Sequence, residues 1–157
     1  MITPEETTEL DFDLVKKRLL DFEGMVLKVY KCKNSWLTIG CGRNLESKGI
    51  NEEEAAYLLH NDILESIRDL DKHWKIWRSF PLKAQHVCID LVFNMGITTW
   101  MSFRKTRAYM ELGEWEKASQ ELLISKYKND VGRRAIFNSE ELAACQNQTK
   151  KTTGPNA

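Results

Sequence analysis

The sequence lacks an excess of charge of either sign. Lysine and arginine together number 23, and aspartate and glutamate together also number 23. Proteins that bind nucleic acid through its phosphates usually carry a clear excess of basic residues. The balance of charge therefore speaks against a nucleic-acid partner, and we expect none.

Long apolar runs are also missing. No segment approaches the roughly 20 consecutive apolar residues that span a bilayer. The first residues, MITPEETTELDF, include several acids in place of the basic and apolar stretches of a secretory signal. We expect no signal peptide, no transmembrane segment and no stable insertion into a membrane.

Cysteines are few, and their spacing does not suit metal binding. The four cysteines, at positions 32, 41, 88 and 145, form no CxxC pair and have no histidine at the spacing of a metal ligand. Zinc sites in proteins usually show such pairs. We therefore expect no metal site.

The first third of the chain combines a helical pattern with a β pattern. Apolar residues recur at three- and four-residue intervals over 12–22, which predicts a helix that ends near Gly24. Two β-prone runs follow, at 26–30 and 36–40, separated by the turn-forming residues 33–35. This arrangement predicts a β-hairpin.

Beyond the hairpin the pattern is helical. Asn51, followed by three glutamates, predicts the start of a long helix that continues to Phe80-Pro81 and is broken near its end. Residues 82–95 are apolar on nearly every side, as in a helix buried within a helical lobe, and Gly96 is expected to end it. Shorter helices are expected around 103–112, 115–124 and 133–145.

Length and pattern together predict one mainly helical α+β domain over residues 1–146. A small β-containing lobe covers about 24–60, and a helical lobe covers about 82–146 together with the N-terminal helix. A long helix joins the lobes, and the active-site cleft lies between them. The polar end, residues 147–157, has no core residues and is expected to be a mobile tail.

Glu23 is the carboxylate that the pattern singles out. It stands at the predicted helix end, beside the hairpin. The negative end of the helix dipole and partial burial both favour the protonated carboxyl, and this suits a general acid near neutral pH. Periodicity alone equally allows a solvated acid in a last helical turn.

The run LLDFEG…VYKCKNSWLTIGCGRNL resembles the catalytic segment of the phage-type lysozymes, glycoside hydrolase family 24, in which a glutamate, an aspartate and a threonine occur at this spacing. The resemblance covers about residues 14–136 and includes FNMG at 93–96, GEW at 113–115 and SKYKNDVGRRA at 125–135. A pattern with several parts is far more specific than one short motif. It implies the two-lobed phage lysozyme fold.

The resemblance assigns roles to individual residues. It implies that Glu23 protonates the leaving glycosidic oxygen and that Thr38 holds the attacking water. Arg134 corresponds to an arginine that pairs with the glutamate across the lobe interface, the alternative being a solvated basic residue. Phe93 and Thr106 correspond to cleft positions near the sugar chain, although Phe93 equally suits the core.

Cys32 departs from the family pattern, because most members have aspartate at this position. A minority carry cysteine, so the change does not imply an inactive enzyme. A thiol with a pKa of about 8.5 is mostly neutral at pH 7 unless its surroundings lower that pKa. Three roles remain open: a thiolate that stabilises an oxocarbenium-like transition state, a group that positions water, and a nucleophile that attacks the sugar carbon.

The resemblance also implies a function. The chain is expected to be an endolysin, a muramidase that hydrolyses the β-1,4 bond between N-acetylmuramic acid and N-acetylglucosamine in peptidoglycan and so lyses the host cell. We expect no cofactor, peptidoglycan as the partner, and a monomer. The protein is expected to stay in the host cytoplasm until the membrane is permeabilised and then to reach the cell wall.

Two alternatives remain open. A lytic transglycosylase cleaves the same bond with one acid/base glutamate and needs no water-activating aspartate, which makes Cys32 compatible with it. A non-catalytic peptidoglycan-binding or virion protein could have lost the aspartate, although the presence of both Glu23 and Thr38 argues against this.

Overall fold

The structure is a computed structural model that describes residues 10–125 and 132–149. The chain divides into two compact units, residues 1–56 and 57–157. The mainly helical α+β class predicted from the sequence is confirmed. The described elements are α1 (Phe12–Glu23), β1 (Val26–Lys31), β2 (Leu37–Gly40), β3 (Arg43–Asn44), α2 (Glu52–His73), a 3-10 helix (Lys75–Ser79), α3 (Leu82–Met95), α4 (Ile97–Ser102), α5 (Arg104–Glu111), α6 (Trp115–Ile124), α7 (Arg133–Ala144) and α8 (Gln146–Thr149).

Local hydrogen bonds fix both ends of α1. The Asp11 side chain accepts a hydrogen bond of 2.9 Å from the Leu14 amide, which satisfies one of the free amides of the first turn. Gly24 ends the helix with φ +71°, and its amide donates to the Leu20 carbonyl at 2.9 Å. The predicted helix end near Gly24 is therefore confirmed.

The N-terminal helix belongs to the first unit, together with the sheet, whereas the sequence analysis grouped it with the helical lobe. Its C-terminal end makes the contacts: the Cys41 thiol donates to the Leu19 carbonyl at 3.6 Å, and Glu23 lies against Gly42. No side chain of α1 is buried, so this unit leaves the predicted apolar face uncovered. Periodicity identifies an apolar face but not the element that packs on it. The single domain over 1–146 stays a prediction.

β1 and β2 form the predicted hairpin. Tyr30 pairs with Thr38, and the Cys32 amide donates to the Trp36 carbonyl at 3.0 Å across the turn. A short third strand, which the sequence analysis did not predict, pairs antiparallel with β2 and places Asn44 opposite Thr38. Thr38 therefore lies on the central strand of a three-stranded sheet.

Arg43 connects the sheet to the start of α2. Its guanidinium donates to both carboxylate oxygens of Glu54, at 2.6 and 2.8 Å, and to the Gly49 carbonyl at 2.7 Å. The Asn51 side chain accepts from the Glu54 amide at 2.8 Å, and the Glu54 carboxylate accepts from the Asn51 amide at 2.9 Å. This reciprocal pair is a capping box, and it confirms the predicted helix start at Asn51.

The helical unit follows the predicted order with two additions, the short helices α4 and α8. The long helix is broken near its end, because α2 stops at His73 and the 3-10 helix follows. Gly96 ends α3 with φ +81°, and its carbonyl accepts from the Trp100 amide at 3.0 Å. That bond begins α4, a six-residue helix that is too short for its periodicity to be recognised.

Tryptophan rings form the centre of the core in the second unit. Trp74 packs edge-on against Phe80 and Trp100 with ring centroids 5.2 and 5.6 Å apart, and Phe80 packs on Trp115 at 5.4 Å. Such pairs add to the free energy gained from burying the rings. The core is completed by other buried residues of this unit: Leu70, Trp77, Ala84, Val87, Cys88, Leu91, Val92, Met110, Ala118, Leu122, Ala135, Leu142 and Cys145.

The end of the described chain is helical. The predicted mobile tail, residues 147–157, begins within α8, and the Gln146 side chain accepts from the Trp115 amide at 3.0 Å. Residues 150–157 lie outside the described residues, so the mobility of the tail stays a prediction. Within 10–125 and 132–149, no helix combines the length and the apolar character needed to cross a membrane.

Candidate functional site

Glu23 is the last residue of α1, and it is exposed rather than partly buried as expected. Its carboxylate lies against the backbone of the turn that follows β2. A β-carbon built onto Gly42 would stand 3.0 Å from Glu23 Oε2. Gly42 has φ +71°, a conformation that favours glycine. The turn therefore passes the carboxylate without a side chain between them.

The Cys32 thiol follows β1, is half-buried and faces several hydrogen-bond donors. The backbone amide of Asn34 lowers the pKa of Cys32 most strongly, burial opposes this, and the Trp36 amide and the Thr38 hydroxyl lower the pKa further. The net effect is a pKa below the usual value of a thiol. Because each donor stabilises negative charge on sulfur, the thiol of Cys32 ionises more readily than an ordinary thiol.

Thr38 supplies the side-chain donor. It is only 3% exposed, and its Oγ1 donates to the Trp36 carbonyl at 3.0 Å. A hydroxyl has one proton, so it donates either to this carbonyl or to the Cys32 sulfur at a given moment. A negative charge on the sulfur attracts that proton. The Trp36 carbonyl and the Cys32 sulfur therefore compete for the Thr38 proton.

The first unit brings three of the predicted residues into one small structure. The sheet joins Cys32 to Thr38, and the turn after β2 contacts Glu23. The amides of Asn34 and Trp36 could not be predicted as donors, because a backbone amide is present at every residue type except proline. The sequence signal for these donors was Asn34, a residue type that is typical of turns.

In the second unit, Arg134 on α7 binds the carboxylate of Asp90 on α3. Its Nε and Nη2 lie 2.9 and 2.6 Å from the two Asp90 oxygens, and the Asn138 amide donates to the same carboxylate at 2.6 Å. The predicted pairing of Arg134 with Glu23 stays a prediction. Asp90 was not predicted as a site residue, although a carboxylate within an apolar helix indicates one.

Two opposing effects act on the Asp90 carboxyl. Burial raises its pKa, but the hydrogen bonds from Arg134 and Asn138 and the charge of Arg134 outweigh it, so the pKa lies below the usual value. The Asp90 and Arg134 side chains are 33% and 37% exposed. A bidentate ion pair of this kind holds the guanidinium in a defined orientation.

Phe93 and Thr106 occupy different environments. Phe93 is 40% exposed on α3, beside a groove of about 300 Å³ whose apolar wall includes Ile63 and Ile89 and whose polar edge is the Asp90–Arg134 pair. Its ring is therefore available to a ligand. Thr106 is 2% exposed on α5, a burial that favours a packing role. The contact of either residue with a sugar chain stays a prediction.

All four cysteines are free thiols. Cys88 is buried in the helical core, as predicted for a small core residue, and Cys145 is buried beside it in the same cluster. In the parts of the chain that the structure describes, no group of three or more His, Cys, Asp or Glu side chains is arranged to hold a metal ion.

Comparison with known proteins identifies one family and one relative. The phage lysozyme family matches residues 20–142, which is more than half of the chain. The pre-baseplate central spike protein Gp5 of Enterobacteria phage T4 is 25% identical over a region that covers 61% of this chain and 22% of that protein. The chain therefore matches less than a quarter of the length of this relative.

Thr38→Val tests whether the hydroxyl contributes to the thiolate at Cys32. We expect the pKa of Cys32 to rise, because valine keeps the shape of threonine and removes one donor. The measurement is the rate of iodoacetamide alkylation as a function of pH, read by mass spectrometry on the peptide that contains Cys32. The midpoint should move to higher pH in Thr38→Val and stay near the wild-type value in Thr38→Ser. Equal midpoints in all three proteins would contradict this assignment.

Arg134→Ala tests the pair on α3 and α7. At neutral pH we expect a loss of about 1–2 kcal/mol in the free energy of unfolding by urea, because Asp90 loses a charged partner. The matched control is Arg133→Ala, which removes the same charge from an exposed neighbour on the same helix.

The loss should also depend on pH. Since the folded pKa of Asp90 is lowered, its contribution is present above the unfolded value of about 3.9 and is lost as the pH falls through the folded value. The difference in the free energy of unfolding between wild type and Arg134→Ala should therefore become smaller below about pH 4. A mutant as stable as Arg133→Ala at neutral pH would show that the pair does not stabilise the fold.

Proposed function

Because the chain belongs to the phage lysozyme family, we propose that it is an endolysin, a muramidase that hydrolyses the β-1,4 bond between N-acetylmuramic acid and N-acetylglucosamine in peptidoglycan. The observation that carries the proposal is the group of donors around Cys32. They favour negative charge at the position where the sequence resemblance places the aspartate of most members. Glu23, which we propose as the proton donor, lies in the same unit as Cys32.

Glu23 acts first in the proposed reaction. Its carboxyl donates a proton to the glycosidic oxygen while the bond from that oxygen to the anomeric carbon breaks, and the bonding electrons leave with the oxygen. The exposure of Glu23 supports this role, because the leaving oxygen of a polymer must reach the acid from outside. Positive charge then develops on the anomeric carbon and the ring oxygen.

Cys32 acts on that charge and on the attacking water. As a thiolate it stabilises the positive charge, and it accepts a proton from the water whose oxygen bonds to the anomeric carbon. Thr38 orients this water through the lone pairs of its hydroxyl. Solvent then takes the proton from Cys32 and returns one to Glu23.

Of the three roles that the sequence left open, we propose that Cys32 stabilises charge and positions the water from which it accepts a proton. The lowered pKa of Cys32 fits all three roles, because it raises the thiolate fraction while it reduces the intrinsic nucleophilicity of each thiolate. Isolation of a covalent thioglycoside on Cys32 would favour direct attack by sulfur.

The partner that we propose is bacterial peptidoglycan, bound by a monomer that reaches the wall once the host membrane has been permeabilised. The exposed ring of Phe93 beside its groove supports a role in sugar binding, because aromatic faces pack well on the apolar side of a sugar ring. The name of the T4 spike protein describes a virion component. This chain matches only 22% of the length of that protein, so we do not transfer the virion role to it. We propose a role in lysis.

Glu23→Gln tests the proposed acid. We expect the mutant to fold normally and its rate of cleavage of purified cell walls to fall by about 10²–10⁴-fold, because an amide cannot deliver the proton. The control is Asp21→Asn, which makes the same change of charge in the same helical turn and should keep wild-type activity.

Two results would count against this proposal. A folded Glu23→Gln protein with most of its activity would remove Glu23 from the mechanism. A wild-type protein that binds walls without cleaving them would favour the non-catalytic alternative.

Two replacements of Cys32 test the thiolate. Cys32→Asp should keep substantial activity, because a carboxylate supplies the same charge and accepts from the same donors. Cys32→Ala should lose much more, because both the charge and the proton acceptor are gone. Iodoacetamide should inactivate the wild type, and bound peptidoglycan oligosaccharide should slow this reaction. If Cys32→Ala is as active as wild type, Cys32 is a structural residue.

A further inference from the structure

We propose that Gly42 is a positioning residue for Glu23. Because the turn after β2 has no side chain at residue 42, the Glu23 carboxylate can lie against the backbone of the turn. The structural part of this inference concerns the first unit alone. Its catalytic consequence rests on the proposed function, in which Glu23 is the acid.

The space beside Gly42 is occupied by Glu23. A β-carbon at Gly42 would lie 3.0 Å from Glu23 Oε2, 3.3 Å from its Cδ and 3.7 Å from its Cγ, and these are its three nearest atoms. Carbon atoms at optimal contact stand about 3.5–4.0 Å apart, so the distance to Cδ is too short, and the distance to the oxygen Oε2 is shorter still. The carboxylate is the far end of a flexible side chain. It would move, and the backbone would not need to.

A second contact holds the turn to the helix. The thiol of Cys41, the residue before Gly42, donates to the Leu19 carbonyl at 3.6 Å. Leu19 and Glu23 are four residues apart on α1 and therefore lie on one face of the helix. The turn therefore contacts α1 at two positions that are about one helical turn apart. This double contact limits how far the carboxylate and the turn can separate.

Gly40 offers a matched comparison two residues earlier. It has φ +68°, close to the +71° of Gly42, so alanine at either position pays a similar cost in backbone strain. A β-carbon at Gly40, however, would meet no atom within 4 Å. The two substitutions therefore impose a similar φ strain, and of the two only Gly42→Ala brings a β-carbon against Glu23.

The kinetic test compares Gly42→Ala with Gly40→Ala. Both should lose similar thermal stability. We expect kcat for wall fragments to fall about 10- to 100-fold in Gly42→Ala, with KM within about twofold of wild type, because a misplaced acid affects the chemical step. Gly40→Ala should keep kcat within about twofold. An equal loss of kcat in both variants would overturn the inference.

A second readout does not depend on catalysis. The carbon-13 resonance of the Glu23 carboxyl, assigned by its disappearance in Glu23→Gln, should shift in Gly42→Ala and stay in place in Gly40→Ala. If it shifts equally in both variants or in neither, Gly42 does not position Glu23. A wild-type protein without wall-cleaving activity would refute the proposed function, and the resonance would still decide on the position of the carboxylate.

Discussion

The hydrogen bond between the Cys32 amide and the Trp36 carbonyl, 3.0 Å long, is the interaction on which the candidate site depends. It closes the turn between β1 and β2, and the Ser35 amide reinforces it by donating to the Cys32 carbonyl at 2.8 Å. With the turn closed, the amides of Asn34 and Trp36 face the sulfur. The lowered pKa of the thiol therefore depends largely on backbone geometry, which a mutation of any one side chain changes only in part.

The two units fix their charged groups in different ways. In the first, backbone amides and one hydroxyl lower the pKa of Cys32, and a glycine leaves room for Glu23. In the second unit, side chains have this role, because Arg134 and Asn138 outweigh the effect of burial on the pKa of Asp90. Fixed donors of both kinds stabilise charge without reorganising during a reaction.

The sequence predicted those features that depend on local physical chemistry. The hairpin turn and the helix start at Asn51 follow from the preferences of neighbouring residues, and both were found. The strand Arg43–Asn44 and the helix Ile97–Ser102 were not predicted, because elements this short have no readable period.

Contacts between distant parts of the chain were harder to predict. The partner of Arg134 in the structure, Asp90, lies 44 positions away, and the approach of Glu23 to Gly42 depends on the course of the turn after β2. Residue type showed which groups carry charge. It did not show which groups face them, because that depends on the packing of elements that are not neighbours in sequence.

The measurement that bears most directly on the proposed chemistry is the identification of the new chain ends in a digest of purified peptidoglycan. Hydrolysis through Glu23, Cys32 and water predicts one new reducing N-acetylmuramic acid for each bond cleaved, which borohydride converts to muramitol. Anhydro-muramyl ends without new reducing sugar would show that the muramic acid's own hydroxyl replaces water, and this result would contradict the account.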